Sequence, residues 1–342
     1  MRKLLAPLAL LFASVTPAHA QTVEGAVEGD AILKDFTFAT GEKLPELKMH
    51  YTTLGTPQRD KKGHVTNAVM ILHGTGGTGK QFFQPQFANE LFGPGQLLDT
   101  KKYYIILPDN IGHGGSSKPS DGMRMNFPKY DYDDMVSAQY RMLTEKLGVQ
   151  KLKLILGTSM GCMHAFVWGE MRPDFAEKLA PFACLPVEIA GQNRMWRTLS
   201  IDAIKADPLW NGGNYKEPPA SGLRTAASLS MIAGANPYAL QAQYPTRAAA
   251  EKYKDEAFAR TNGRNDANDV IYQLDSSRTY NPWPNLEKIK VPVLWINSAD
   301  DFINPPAYGI TEKARARMKT TKFILIAASP ETKGHSLSLI HI

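Results

Sequence analysis

Two cysteines in 342 residues, Cys162 and Cys184, exclude a disulfide-dense scaffold and a four-cysteine zinc site. Both sit in apolar surroundings, so we expect two buried thiols, with a single bridge as the alternative. The chain also lacks a basic block and any alternation of basic with aromatic residues. Its net charge of +6 is dispersed, and no nucleic acid partner is expected. There is no internal repeat and no low-complexity tract. No His or Cys spacing fits a metal site, and we expect neither metal nor cofactor. A run of apolar residues long enough to cross a bilayer is missing as well, so no membrane span is expected.

The longest apolar stretch, residues 4–15, is too short to span and has another reading. Arg2 and Lys3 precede it, and Thr16-Pro17-Ala18-His19-Ala20 follows with an Ala-x-Ala pattern. Positive charge, apolar core and small-residue cleavage site in that order describe a secretory signal over residues 1–20. The rest of the chain is therefore expected to work in the periplasm or outside the cell.

What the remainder does contain is a series of short apolar runs bounded by turn residues. Residues 67–73, 103–108, 151–156, 291–296 and 321–326 read as buried strands. Between the second and third, Met135, Val136, Met142, Leu143 and Leu147 recur at helical spacing over residues 133–147, and Gly148 follows as a terminator. Strand–helix–strand alternation predicts an α/β fold with a mostly parallel sheet covered on both faces. From residue 188 to 287 the regularity breaks. Helical patterns interrupted by Pro208, Pro218, Pro219, Pro237 and Pro245 read as a mainly helical cap, inserted between core segments 21–187 and 288–342.

The chemistry centres on Gly157-Thr158-Ser159-Met160-Gly161. This G-x-S-x-G follows an apolar strand and leads into a helix-forming stretch, the context in which a sharp turn pushes a serine hydroxyl out of a sheet. An activated serine needs a base, and the base needs an orienting carboxylate. Asp300 and Asp301 both follow the 291–296 strand; Asp301 is favoured as the acid and Asp300 as a turn residue. His335 follows the last strand and is preferred to His341 as the base. Donors to a developing oxyanion are expected from the N–H of Met160 and from an N–H near Gly74 or Thr75.

The loop carrying the last two also mimics a phosphate-binding loop, Gly74-x-x-x-x-Gly79-Lys80. Gln81 stands where a Ser or Thr should hold magnesium, which argues against that reading. Asp109 in Asp109-x-x-Gly112-x-Gly114 reads as a structural turn.

Taken together, these motifs resemble the homoserine O-acetyltransferase branch of the α/β-hydrolase superfamily. The specific part lies in the cap, where Asp207-Pro208-Leu209-Trp210-Asn211-Gly212-Gly213-Asn214-Tyr215 is followed by Pro219-x-x-Gly222-Leu223-x-x-Ala226. The resemblance implies the α/β-hydrolase fold and a triad of Ser159, Asp301 and His335. The chain departs from that branch at Ile201, where the branch carries an arginine for the substrate carboxylate; Arg197 and Arg194 are the nearest replacements. Acetyl-CoA is a cytoplasmic donor. Export therefore favours ester hydrolysis or acyl transfer on another small-molecule ester or acyl substrate. Acetyl transfer from acetyl-CoA and a non-catalytic binding protein are the alternatives, and a homodimer stays open.

One expectation concerns the tail. Leu337-Ser338-Leu339-Ile340-His341-Ile342 can be read as the translation of a transposon end used in preparing sequencing libraries. We expect these residues to be foreign and His341 to have no function.

Overall fold

The computed structural model describes residues 23–261 and 265–336; the expected signal segment 1–20 and the expected foreign tail 337–342 lie outside the described residues. Strand β3 (Ala68–Leu72) shows why the apolar runs are continuous. All five residues are buried, Val69 and Ile71 toward one side of the sheet, Ala68, Met70 and Leu72 toward the other. β4 (Tyr104–Pro108) divides in the same way, with Ile105 and Leu107 opposite Tyr104 and Ile106. A strand covered on both faces has no polar side to alternate with.

The remaining strands are β1 (Val27–Thr37), β2 (Lys43–Leu54), β5 (Leu154–Thr158), β6 (Leu179–Phe182), β7 (Val293–Ser298) and β8 (Thr321–Ile326). They form one eight-stranded sheet in the order β1-β2-β4-β3-β5-β6-β7-β8. The six from β4 to β8 run parallel, and β1 and β2 pair antiparallel at one edge. Five strands lie where the apolar runs predict them. Their helices are α1 (Pro85–Leu91), α2 (Tyr132–Arg141), α3 (Met160–Met171) and α9 (Ile310–Arg317).

α2 starts on a reciprocal cap: the Asp131 side chain accepts from the Asp134 N–H and the Asp134 side chain from the Asp131 N–H, both at 3.1 Å. The predicted helix over 133–147 is thus present, but its second half widens into a π-turn over Met142–Lys146, before Gly148 closes it at φ 70.

Between β6 and β7 the chain leaves the sheet and builds α4 (Gly191–Ala206), α5 (Ala220–Gly234), α6 (Pro237–Gln243), α7 (Arg247–Thr261) and α8 (Ala267–Asp275). This helical insertion has its own apolar cluster, including Ile201, Ile204, Ala226, Ile271 and Leu274. Gly222 lets α5 cross α4 closely, since a Cβ there would lie 2.6 Å from the Ala203 carbonyl oxygen. Asp207 fixes that crossing by accepting from both the Leu209 and Gly222 N–H groups at 3.0 Å. Its carboxyl is held below the usual range, chiefly by the bond from Gly222. The Asp-Pro…Gly-Leu pattern of the sequence is therefore the joint that holds α4 against α5. Among the described residues no helix is long and apolar enough to cross a membrane.

The cysteines correct the sequence reading. Cys162 and Cys184 form a disulfide with Cα atoms 5.8 Å apart, where two buried thiols were expected. Both are fully buried, so their apolar setting looked like ordinary packing of a small hydrophobe. The fold supplies what the sequence does not show: β5 and β6 are neighbours, and the start of α3 after β5 faces the end of β6. On a chain-entropy model, closing a loop over a separation of 22 residues stabilises the fold by about 3 kcal/mol.

Candidate active site

Ser159 sits between the last residue of β5 and the first of α3, with φ 54 and ψ −112. The two glycines flanking it answer to close backbone approach. A Cβ on Gly157 would lie 2.1 Å from the Gly161 carbonyl oxygen, and one on Gly161 the same distance from the carbonyl oxygen of Leu72 on β3. No side chain fits either position, so the turn can pack onto the sheet only with glycine at both. The Ser159 N–H donates to the Phe182 carbonyl at 2.9 Å and ties the turn to β6.

The three residues singled out from the sequence meet there. Ser159 Oγ lies 2.7 Å from His335 Nε2. His335 Nδ1 lies 3.0 Å from both carboxylate oxygens of Asp301, and Asp301 is buried. With its Nδ1–H donating to Asp301, the ring leaves Nε2 free to accept the serine proton. Asp301 is itself fixed in the loop after β7, accepting from the Ile303 and Asn304 N–H groups at 2.9 Å each. Asp300 points elsewhere: it accepts from Ser298 Oγ and from Thr332 Oγ1.

The expected oxyanion donors differ in availability. The Gly74 N–H already donates to Gln81 Oε1 at 3.2 Å, while Gln81 Nε2 donates to Thr158 Oγ1 at 3.3 Å. Among the described residues no hydrogen-bond partner is found for the N–H of Thr75 or of Met160. Gly74 instead packs its Cα close to Ser159, where a Cβ would be 3.4 Å from the serine Cβ.

His73, which carried no prediction, shapes this loop. It is fully buried, its Nδ1 2.8 Å from the Gly74 carbonyl and its Nε2 accepting from the Asn110 N–H at 3.1 Å. Burial holds its pKa below the usual histidine value, so it stays the neutral strut these two bonds require. Lys80 of the phosphate-loop lookalike pairs with Glu28. Asp109 accepts from the Gly79 and Gly115 N–H groups at 2.8 Å each, as a turn residue does.

Ser159 and His335 open into a cleft of about 1780 Å³ between the sheet and the helical insertion. Loop residues 74–78 form one wall, and α5 contributes Leu223, Ala226 and Met231 to the other. The two candidate arginines part company here. Arg197 lines this cleft and is 1% exposed; its Nε donates to Asn193 Oδ1 at 3.0 Å, and its guanidinium lies 4.9 Å from the Trp196 ring centre. Its Nη1 is buried and has no hydrogen-bond partner among the described residues. Arg194 lies away from Ser159, in a separate cavity of about 280 Å³, and pairs with Asp275 at 3.2 Å. Ile201 is buried within the cap cluster.

Comparison with known proteins gives the family of the fold. Residues 67–326 match the family model described as the alpha/beta hydrolase fold. The chain is 31% identical over 302 residues to a homoserine O-acetyltransferase of Chloroherpeton thalassium, covering 79% of this chain and 75% of that one. It is 30% identical over 232 residues to a homoserine O-acetyltransferase of Thermobifida fusca, covering 63% of this chain and only 60% of that protein's length. A crystal structure of homoserine O-acetyltransferase from Bacillus anthracis superposes with a TM-score of 0.80 at 22% identity, covering 93% of this chain and 95% of that one.

Proposed function

Because the chain belongs to the α/β-hydrolase fold family, in its homoserine O-acetyltransferase-like branch, we propose that it is an exported enzyme that moves acyl groups through a covalent intermediate on Ser159. The observation that carries this reading is the unbroken hydrogen-bonded chain from Ser159 through His335 to buried Asp301 at the floor of an open cleft. His335 Nε2 takes the proton from Ser159 as Oγ attacks the acyl carbonyl. The Met160 and Thr75 N–H groups hold the oxyanion. When the carbonyl re-forms, the bond to the alcohol or thiol breaks and that group leaves with the proton from His335. Water or a second alcohol then attacks the acyl-enzyme, giving up its proton to His335 and restoring Ser159.

Hydrolysis, or transfer to an acceptor other than homoserine, is favoured over use of acetyl-CoA. The signal-like residues 1–20 argue for export, and the Cys162–Cys184 bridge suits an oxidising compartment, where acetyl-CoA is absent. Arg197 supplies the chemistry of the cleft. Among the described residues Arg197 has the Tyr132 hydroxyl near it but no salt-bridged carboxylate, and its Nη1 makes no hydrogen bond; such a buried cation is costly unless a ligand provides the anion. A substrate bearing a carboxylate or comparable anionic group fits it. Acetyl transfer to homoserine remains the second reading, favoured by the curated relatives.

A fluorophosphonate probe should label the protein at Ser159, and Ser159→Ala should remove both labelling and esterase turnover of p-nitrophenyl acetate without CoA. Labelling that survives the substitution would sink the nucleophile. Efficient formation of O-acetylhomoserine from acetyl-CoA would transfer preference to the second reading.

A further inference from the structure

The base of the relay hangs from a loop whose anchoring comes from the cap. Residues 327–336 follow β8 at the end of the sheet, and Ser329 and Thr332 are tied to the rest of the protein through Asn236 and Asp300. Asn236, at the corner between α5 and α6, is 5% exposed. Its Nδ2, with two hydrogens, donates to the Ser329 carbonyl at 2.8 Å and the Thr332 carbonyl at 2.6 Å, and lies 3.0 Å from Thr332 Oγ1. Thr332 Oγ1 in turn donates to Asp300 Oδ2 at 2.6 Å. The knot therefore joins a cap corner, the turn just before His335, and the residue just before Asp301. Gly334 completes it at φ 57: a Cβ there would lie 2.9 Å from the Ala235 carbonyl oxygen, so the His335 turn and the cap corner touch backbone to backbone.

We propose that Asn236 is a positioning residue for His335, holding its turn at the height from which Nε2 reaches Ser159. The proposal rests on the reading of Ser159 as nucleophile. Among the described residues Asn236 makes no hydrogen bond to Ser159 or to His335. It acts through Ser329 and Thr332, and it joins the catalytic histidine to α5, whose residues line the cleft. A cap helix displaced by an occupant of the cleft would thus move the base as well as the wall.

Asn236 has a second duty that the test must separate. Its Oδ1 caps α6, accepting from the Tyr238 and Ala239 N–H groups at 2.9 and 3.2 Å. Asn236→Asp keeps the capping oxygen and loses the donor to the two carbonyls. Its expected result is an unchanged fold by circular dichroism, a KM for p-nitrophenyl acetate within about twofold of the parent, and a kcat lower by about 10- to 100-fold, since misplacing a reacting group by an ångström costs that much. Labelling of Ser159 by fluorophosphonate should slow by a similar factor. Thr332→Val should behave alike, and Thr332→Ser, which keeps the hydroxyl, should recover most of the rate. If Asn236→Asp does not fold, the Val and Ser variants at Thr332 decide the matter by the same split. A folded Asn236→Asp with parental kcat and labelling rate overturns the proposal, as does a loss confined to KM or equal losses in Thr332→Val and Thr332→Ser. A parent protein that is never labelled at Ser159 overturns the nucleophile reading instead.

Discussion

On the sheet side of the cleft Ser159 is held by backbone. Gly157 and Gly161 leave no room for a Cβ, Ser159 is pinned to β6 by its own N–H, and the proposed oxyanion donors are main-chain groups. On the cap side the cleft is made of side chains, among them Arg197, Leu223 and Met231. The cap is fastened to the core by side chains too: Asp269 on α8 takes the Ser120 N–H and hydroxyl at 2.9 and 2.6 Å, and Gln273 reaches the Gly112 carbonyl at 2.7 Å. Backbone cannot change identity under substitution, whereas these side-chain contacts on the cap side can. Chemistry on one wall and substrate choice on the other is the division this construction allows.

The division is open to attack from both sides. The largest effect should come from the sheet side. Asp301→Asn, measured as kcat on p-nitrophenyl acetate, is expected to fall by about 10⁴-fold, because the imidazole loses the acceptor that sets its tautomer. Asp300→Asn keeps an oxygen for the Thr332 hydroxyl and should cost far less; the reverse ranking would mean the wrong aspartate has been placed in the relay. On the cap side, Arg197→Met should lower the preference for anionic over neutral esters by about 10- to 100-fold, the worth of a hydrogen bond to a charged group. An unchanged preference would remove Arg197 from the substrate site and leave the buried cation unexplained.

The smallest effect lies at the junction. Burial raises the Asp269 carboxyl from its ordinary 3.8 to about 6, against the bonds from Ser120 that pull it down. A carboxyl that holds its proton more tightly in the folded state stabilises the fold fully below its unfolded pKa, and that contribution is lost as pH rises toward 6. Thermal stability should therefore decline between about pH 4 and pH 6, with Asp134, raised to about 6 by burial and by Asp131, contributing to the same slope. Asp269→Asn should flatten part of that slope. Melting curves of both proteins across this range test it, and an identical slope in the variant would remove Asp269 as a source.

How far the sequence could be read follows from the same physics. β3, β4, β5, β7 and β8 were legible because burial on both faces makes them uninterrupted apolar runs. β1 and β2 were not: as an antiparallel edge pair they mix buried Ala31, Leu33, Leu47 and Met49 with exposed charges such as Lys34 and Glu46. β6 escaped notice because it is four residues long and contains Pro181. Ser159, Asp301 and His335 could be named because each follows a strand in the order this fold imposes. Arg194 and Arg197 could not be separated, since only the folded chain brings Asp275 to one and the cleft to the other. Asn236 and Thr332, 96 residues apart, carry no local pattern at all.

Ser159 occupies a positive-φ backbone region that costs a non-glycine residue roughly 1–3 kcal/mol. Its hydroxyl earns no compensation as a helix cap, because no capping bond is made. The best residue for stability at position 159 is therefore glycine, which on the proposed mechanism would also end turnover. A chain chosen for folding alone would carry glycine there, so a serine held at positive φ is a residue that stability does not explain.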